Sequence, residues 1–204
     1  MTLERPDPQG ILNKFISRNK EVVDGNLVIT NNLFHSARKE TAENGQAPHM
    51  TVIACSDSRV PVEEIFAAYP GELFVIKTAG NVLDDIGKAS LEYAIEHLPT
   101  SVILVLGHTQ CGAVNATIQA YTSKSVVEGH LGVLVEKITP AVRDAIKTNK
   151  KDDLANTAII NNTKAVVQDI ISTIPSINPL LNSKKILLQK AIYHLETGEV
   201  ELLE

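Results

Sequence analysis

Long apolar runs and an excess of basic residues are both missing from this sequence of 204 residues. No apolar run approaches the roughly eighteen residues of a membrane-spanning helix. The formal net charge is −5, and Lys and Arg are scattered along the chain. These absences argue against a membrane protein and against nucleic acid or an anionic membrane as the main partner. The opening residues, MTLERPDPQG, lack a basic stretch followed by an apolar core, so no signal peptide is expected and the cytosol is the predicted compartment.

Cysteine is also scarce, since the chain has only Cys55 and Cys111. In a reducing compartment, such a pair more often binds metal, takes part in catalysis or packs in the core than forms a disulfide. Free cysteine also behaves as a small apolar residue, so counting alone leaves a buried core role open. Internal repeats and low-complexity tracts are absent as well. The length and the apolar fraction of 44% predict a single globular domain over 1–204, with an N-terminal arm and helices at 1–44 and an α/β core at 45–204.

Hydrophobic spacing predicts the order of helices and strands. The first ten residues contain two prolines and are expected to form a loose arm, and 150–153, KKDD, to form a solvated turn. A helix is also expected to start at Pro61, and strands to flank the Thr-Gly turn near the end of the chain. The predicted helices are 11–23, 31–44, 87–98, about 112–121, about 128–148 and 154–173, and the predicted buried strands are 47–54, 72–77 and 101–107.

Buried strands that alternate with helices predict an α/β fold with a mainly parallel central sheet flanked by helices. In such sheets, binding groups collect in the loops at the carboxyl ends of the strands. Three polar loops follow the predicted strands, and they read CSDSR, KTAGN and GHTQCG. The sequence therefore predicts a functional site where these three loops meet.

Two of these loops carry side chains that bind zinc. Cys55 and Asp57 follow the first strand, and His108 and Cys111 follow the third. Taken alone, His108 could be an ordinary histidine at a strand end, and Asp57 a turn or helix-cap residue. Together they supply the thiolate, imidazole and carboxylate groups that zinc prefers. The pattern predicts a zinc site made of Cys55, His108 and Cys111, with water or Asp57 in the fourth position.

The combination of CSDSR and GHxxCG, each after a buried strand, closely resembles the β-class carbonic anhydrases. The resemblance runs from about 45 to 121 and continues more loosely through HLGVLVEKITPAV and AIYHLETGEV. It implies reversible hydration of carbon dioxide to bicarbonate and a proton, with one Zn²⁺ per chain. It also implies a homodimer or a dimer of dimers, with the N-terminal helices packing on the partner.

The resemblance assigns roles to individual residues. Cys55, His108 and Cys111 match the zinc ligands, and Asp57 and Arg59 match a catalytic Asp–Arg pair. Further positions match the substrate pocket, to which the neighbouring subunit contributes; these are Gln46, Phe74, Ala79, Tyr93 and Gly112. For the two aromatic residues ordinary core packing stays open, and so does an exposed loop position for the glutamine.

The implied chemistry fits these residue types. In carbonic anhydrases whose zinc is held by three histidines, the metal lowers the pKa of its bound water to about 7. Two thiolates donate more charge than imidazoles do, which should make the water here less acidic. Arg59 is expected to hold Asp57, which accepts the proton of the attacking group and orients it toward carbon dioxide. If that pair breaks, Asp57 could instead occupy the fourth zinc position.

Several features depart from the common family pattern and leave other functions open. The second loop has Lys77 and Thr78 in place of Arg-Asn, Gln110 adds an amide beside the ligands, and Ala113 replaces a frequent glycine. Tryptophan is absent, so the Trp-containing bicarbonate pocket of some bacterial members is not expected. The alternatives are carbonyl sulfide hydrolysis on the same fold, a thiol hydrolase with His108 as base, and a purely structural zinc site.

Overall fold

The computed structural model describes residues 3–28, 30–148 and 153–204. Over these residues the chain forms one five-stranded sheet in the order β2-β1-β3-β4-β5. The first four strands are parallel, and β5 runs antiparallel to β4, which confirms the predicted mainly parallel α/β fold. The strands are β1 Met50–Cys55, β2 Leu73–Thr78, β3 Val102–His108, β4 Leu187–Tyr193 and β5 Val200–Leu202.

Helices pack on both faces of this sheet. Alternate residues of the central strands point to opposite faces, so Val52 and Leu104 join one apolar cluster and Ile53 and Ile103 join another. Both central strands are buried along their whole length, as their apolar sequences predict. The α-helices of the described residues are α1 Pro8–Val23, α2 Asn31–Asn44, α3 Val62–Ile65, α4 Asp85–His97, α5 Gly112–Ser123, α6 Gly129–Thr148, α7 Leu154–Thr173 and α8 Asn178–Asn182.

The N-terminal segment differs from the predicted loose arm. Helix α1 already begins at Pro8, because Asp7 accepts a hydrogen bond from the Gly10 N–H (2.7 Å) and proline fits the first helical turn. The helix buries Phe15 edge-on against Phe66, with ring centroids 6.1 Å apart. It therefore packs on the core of its own chain, and the contact of α1 and α2 with a partner stays a prediction.

Other differences are local. The helix after Pro61 has only four residues, and the short turn 175–177 with α8 behind it was not predicted, although Pro175 and Pro179 each stand in a first helical turn. The predicted turn at 150–153 lies outside the described residues except for Asp153, which precedes α7. Among the described residues, we find no helix with the length and apolarity needed to cross a membrane.

The strand register brings the polar loops together at one edge. Cys55 at the end of β1 is paired with Thr78 at the end of β2, and Ala54 is paired with Leu106 of β3. His108, two residues beyond Leu106, ends β3. The loops after β1, β2 and β3 therefore meet at the carboxyl edge of the sheet.

Candidate metal centre

The three predicted ligands lie together in the structure. Cys55 is the last residue of β1, His108 is the last residue of β3, and Cys111 directly precedes α5. One ligand atom from each residue lies within 4.8 Å of the others, and all three residues are buried. A group of this kind has the ligand types and the proximity that a zinc ion requires.

The His108 ring is oriented for metal binding. Its Nδ1 lies 2.9 Å from the carbonyl oxygen of Thr109, and this contact assigns the proton to Nδ1. The Nε2 atom is then a bare lone pair, and it is buried without a hydrogen-bond partner. An unpaired buried polar atom costs about 1–3 kcal/mol, so the site fits a metal ion that would accept this lone pair.

The two thiols shift each other's pKa. The neighbouring Cys111 thiol lowers the pKa of Cys55, whereas the Cys55 thiol and burial raise the pKa of Cys111. Backbone N–H groups favour the thiolate form of both residues, from Gly80 to the Cys55 Sγ (3.2 Å) and from the first turn of α5 to Cys111. A divalent cation would allow both thiols to be deprotonated at once.

The Gly80 contact depends on glycine. The residue has φ +66 in the turn Ala79–Asn81, a backbone conformation that other residues rarely adopt. A Cβ atom there would lie 2.8 Å from the end of the Ile138 side chain, which would have to move. A residue other than glycine would therefore disturb the turn whose N–H contacts the Cys55 sulfur.

Asp57 and Arg59 form the predicted pair. The Arg59 guanidinium donates to both carboxylate oxygens of Asp57, at 3.0 and 2.8 Å, and the Arg59 backbone N–H adds a third bond at 3.0 Å. These hydrogen bonds from Arg59 hold the pKa of Asp57 far below its usual range. One carboxylate oxygen lies 3.9 Å from the Nε2 of His108. Asp57 is thus beside the ligand group but bound to Arg59, and its role as a fourth ligand stays a prediction.

The predicted substrate residues fall into two groups. Ala79 and Gly112 each stand next to a loop that carries a ligand, Ala79 directly after β2 and Gly112 directly after Cys111. Phe74, in contrast, pairs with Thr51 of β1, four residues before Cys55, or about 13 Å along the strand. Tyr93 contacts Phe74, with ring centroids 6.1 Å apart.

Gln46 is exposed and precedes β1, which begins at Met50. Five residues of β1, 50–54, lie between it and Cys55, so it lies toward the opposite end of the strand. Gln46, Phe74 and Tyr93 therefore do not join the ligand group of their own chain.

Three contacts at the site were not predicted from the sequence. They are the Gly80 N–H on Cys55, the carbonyl of Thr109 on His108, and a bond of 2.8 Å from Lys77 Nζ to the Val60 carbonyl. The polar loop KTAGN was predicted to be part of the site, but its sequence does not show which backbone N–H contacts the Cys55 sulfur. Only the left-handed tendency of Gly-Asn could have indicated an unusual turn.

The fold and the site define a class of protein: an α/β protein with a buried Cys₂His group that could hold zinc beside an Asp–Arg pair. Residues 50–200 match the sequence profile of the family described as carbonic anhydrase. Over 166 residues, the chain is 35% identical to the carbonic anhydrase of Mycolicibacterium smegmatis, a match that covers 81% of this chain and 79% of that protein. The chain belongs to the carbonic anhydrase family.

Solved structures place it in the β-class. The β-carbonic anhydrase CcaA has a TM-score of 0.71 and 28% sequence identity, covering 92% of this chain and 88% of that one. One of two tetrameric β-carbonic anhydrases from Sordaria macrospora has a TM-score of 0.70, covering 85% of this chain and 98% of that one, and its 22% identity shows a shared fold alone.

Removing one thiolate should remove the metal. We expect the purified chain to hold about one zinc ion. The Cys111→Ser variant should bind zinc more than about 100-fold more weakly, because losing even a hydrogen-bond partner of a ligand lowers metal affinity about 10–100-fold. Plasma emission spectrometry and chelator competition measure this. Ser58→Ala, in the neighbouring loop, is the control and should keep its zinc. A Cys111→Ser variant with unchanged zinc affinity would contradict the ligand assignment.

Proposed function

We propose that this chain catalyses the reversible hydration of carbon dioxide to bicarbonate and a proton, with Zn²⁺ held by Cys55, His108 and Cys111. The observation that carries the proposal is the buried, unpartnered Nε2 of His108 beside two buried thiols. The Arg59-bound carboxylate 3.9 Å from that nitrogen adds support. Membership in the carbonic anhydrase family supports the same reaction.

Zinc bound by these ligands would lower the pKa of a coordinated water and so supply a nucleophile near neutral pH. The role of Asp57 follows from its own environment. Because Arg59 keeps its pKa so low, Asp57 is ionised at neutral pH and is a poor proton acceptor. We therefore propose that Asp57 does not take up the proton, as was expected from the sequence, but accepts a hydrogen bond that turns the attacking lone pair toward carbon dioxide. The released proton passes to solvent or buffer.

Arg59 fixes the direction of that hydrogen bond. Its two guanidinium contacts form a bidentate pair, which holds the carboxylate in one orientation. One guanidinium nitrogen also lies 3.4 Å from the Gln110 carbonyl, in the loop between His108 and Cys111. Arg59 thereby connects the loop after β1 to the loop after β3, and both loops carry ligands.

We propose that a second copy of the chain completes the substrate pocket. Gln46, Phe74 and Tyr93 do not join the ligand group of their own chain, whereas the resemblance assigns them to the pocket. Helix α2 exposes Leu33 and Phe34, at 56% and 41% of their surface, as a helix that packs on a partner would. The tetrameric state of the Sordaria macrospora proteins supports an assembly of this kind.

We propose the cytosol as the compartment, since the two cysteines are free and a reducing environment keeps them from forming disulfides.

The reaction is tested by parallel assays of the zinc-loaded chain with carbon dioxide and carbonyl sulfide. We expect rapid hydration of carbon dioxide in stopped-flow measurements with a pH indicator, and loss of the activity when zinc is removed. Negligible hydration with rapid release of hydrogen sulfide from carbonyl sulfide would establish the alternative substrate. Activity that survives complete zinc removal but not thiol alkylation would instead indicate a thiol hydrolase.

The Asp57–Arg59 pair gives a second prediction. Arg59→Lys keeps the positive charge but loses the bidentate geometry, so we expect kcat to fall about 10–100-fold with zinc content unchanged. Arg143→Lys is the matched control, because the Arg143 and Arg59 side chains are exposed to 50% and 51% and each lies near an aspartate. Full activity in Arg59→Lys would contradict an orienting role for the pair.

A further inference from the structure

A buried asparagine lies on the apolar face of α7. Asn162 is 2% exposed, and the residues that share its face are otherwise mostly apolar, among them Ile159 and Val166. Burying an amide among apolar side chains is unfavourable unless the amide forms hydrogen bonds. The contacts of Asn162 therefore indicate what the residue does.

The Asn162 amide reaches the metal centre through one intermediate residue. Its Nδ2 donates to the carbonyl oxygen of Gly80 at 2.8 Å, in a buried bond that links positions 82 residues apart. The N–H of the same Gly80 donates to the Cys55 sulfur at 3.2 Å. Asn162 thus binds the carbonyl group of the residue whose N–H contacts a metal ligand.

The turn that Asn162 contacts has an unusual backbone. Gly80 and Asn81 have φ +66 and +49, two successive left-handed residues. Glycine and asparagine are the residues that adopt this conformation most readily, and further contacts select it here. A hydrogen bond from the Thr78 hydroxyl to the Val82 carbonyl spans the turn, and Asn162 holds it from α7.

A second contact of α7 also reaches the site. Thr163, the residue after Asn162, lies so close to Gly107 that a Cβ there would be 2.3 Å from its hydroxyl oxygen. Gly107 directly precedes the ligand His108. Neighbouring residues of one helix therefore pack on the backbone beside two of the three ligands.

We propose that Asn162 is a positioning residue of the metal centre, which holds the Gly80 carbonyl and thereby fixes the backbone conformation of Gly80 in which its N–H donates to the Cys55 thiolate. The proposal rests on zinc binding at Cys55, His108 and Cys111. A hydrogen bond to a ligating sulfur draws charge from it and orients it toward the metal. Without Asn162, the turn is free to rotate this N–H away from the sulfur.

The test replaces the amide with an apolar side chain of similar size. In Asn162→Leu we expect zinc affinity, measured by chelator competition, to fall about 10–100-fold. In the cobalt-substituted protein, the thiolate-to-cobalt charge-transfer band should move to longer wavelength, because a sulfur that has lost a hydrogen bond is more easily oxidised. A purely structural asparagine would lower the melting temperature and leave both readouts unchanged.

Asn161→Leu is the matched control. Asn161 is the preceding residue of the same helix, and its amide also donates to a backbone carbonyl, that of Ala141 in α6, at 3.4 Å. We expect this variant to keep the zinc affinity and the cobalt spectrum of the unmutated chain. The proposal is overturned if Asn162→Leu and Asn161→Leu behave alike.

Two further measurements decide the matter if Asn162→Leu does not fold. Asn162→Ser introduces a small polar side chain in place of a bulky apolar one, and its hydroxyl is too short to reach the Gly80 carbonyl. This variant should show the same changes in zinc affinity and in the cobalt spectrum. In the unmutated protein loaded with ¹¹³Cd, the Gly80 amide proton should show a scalar coupling to the metal through the Cys55 sulfur. Absence of that coupling overturns the proposal, whereas failure of the unmutated chain to bind zinc would overturn the proposed function as well.

Discussion

Two buried thiols and a bare imidazole nitrogen within 4.8 Å of one another are the constraint on which the rest of this structure depends. The protein alone leaves these groups incompletely satisfied, since two thiols are buried side by side and the Nε2 of His108 has no hydrogen-bond partner. A cation of the zinc type would resolve both defects at once. The parallel sheet brings these groups together, because adjacent parallel strands end at the same edge of the sheet.

The groups around the three ligand residues prepare them to bind a metal ion. Backbone N–H groups from Gly80 and from the first turn of α5 favour thiolates, and the Thr109 carbonyl fixes the His108 tautomer. Arg59 then withholds Asp57 from the ligand group by binding both of its oxygens. A purely structural zinc site would not need an arginine that keeps Asp57 away from the metal. The pair therefore favours a centre whose fourth position is kept for a reacting molecule.

Local sequence was enough to predict the parts of the site that lie within single loops. One segment contains Cys55, Asp57 and Arg59, and another contains His108 and Cys111. Each lies at the end of an apolar strand whose burial was evident from its sequence. The contact of Asn162 with Gly80 could not be predicted, because it joins positions 82 residues apart and depends on how α7 packs. The start of α1 was missed because the prolines were interpreted as features of a loose segment, whereas Pro8 occupies a first helical turn.

The central claim is that both cysteines and His108 bind a single zinc ion, and X-ray absorption at the zinc edge tests it most directly. For the zinc-loaded chain, the account predicts two sulfur ligands at about 2.3 Å and one imidazole nitrogen at about 2.0–2.1 Å. The fourth ligand is expected to be a light atom, oxygen from water or from Asp57. A coordination shell with one sulfur or none would contradict the account.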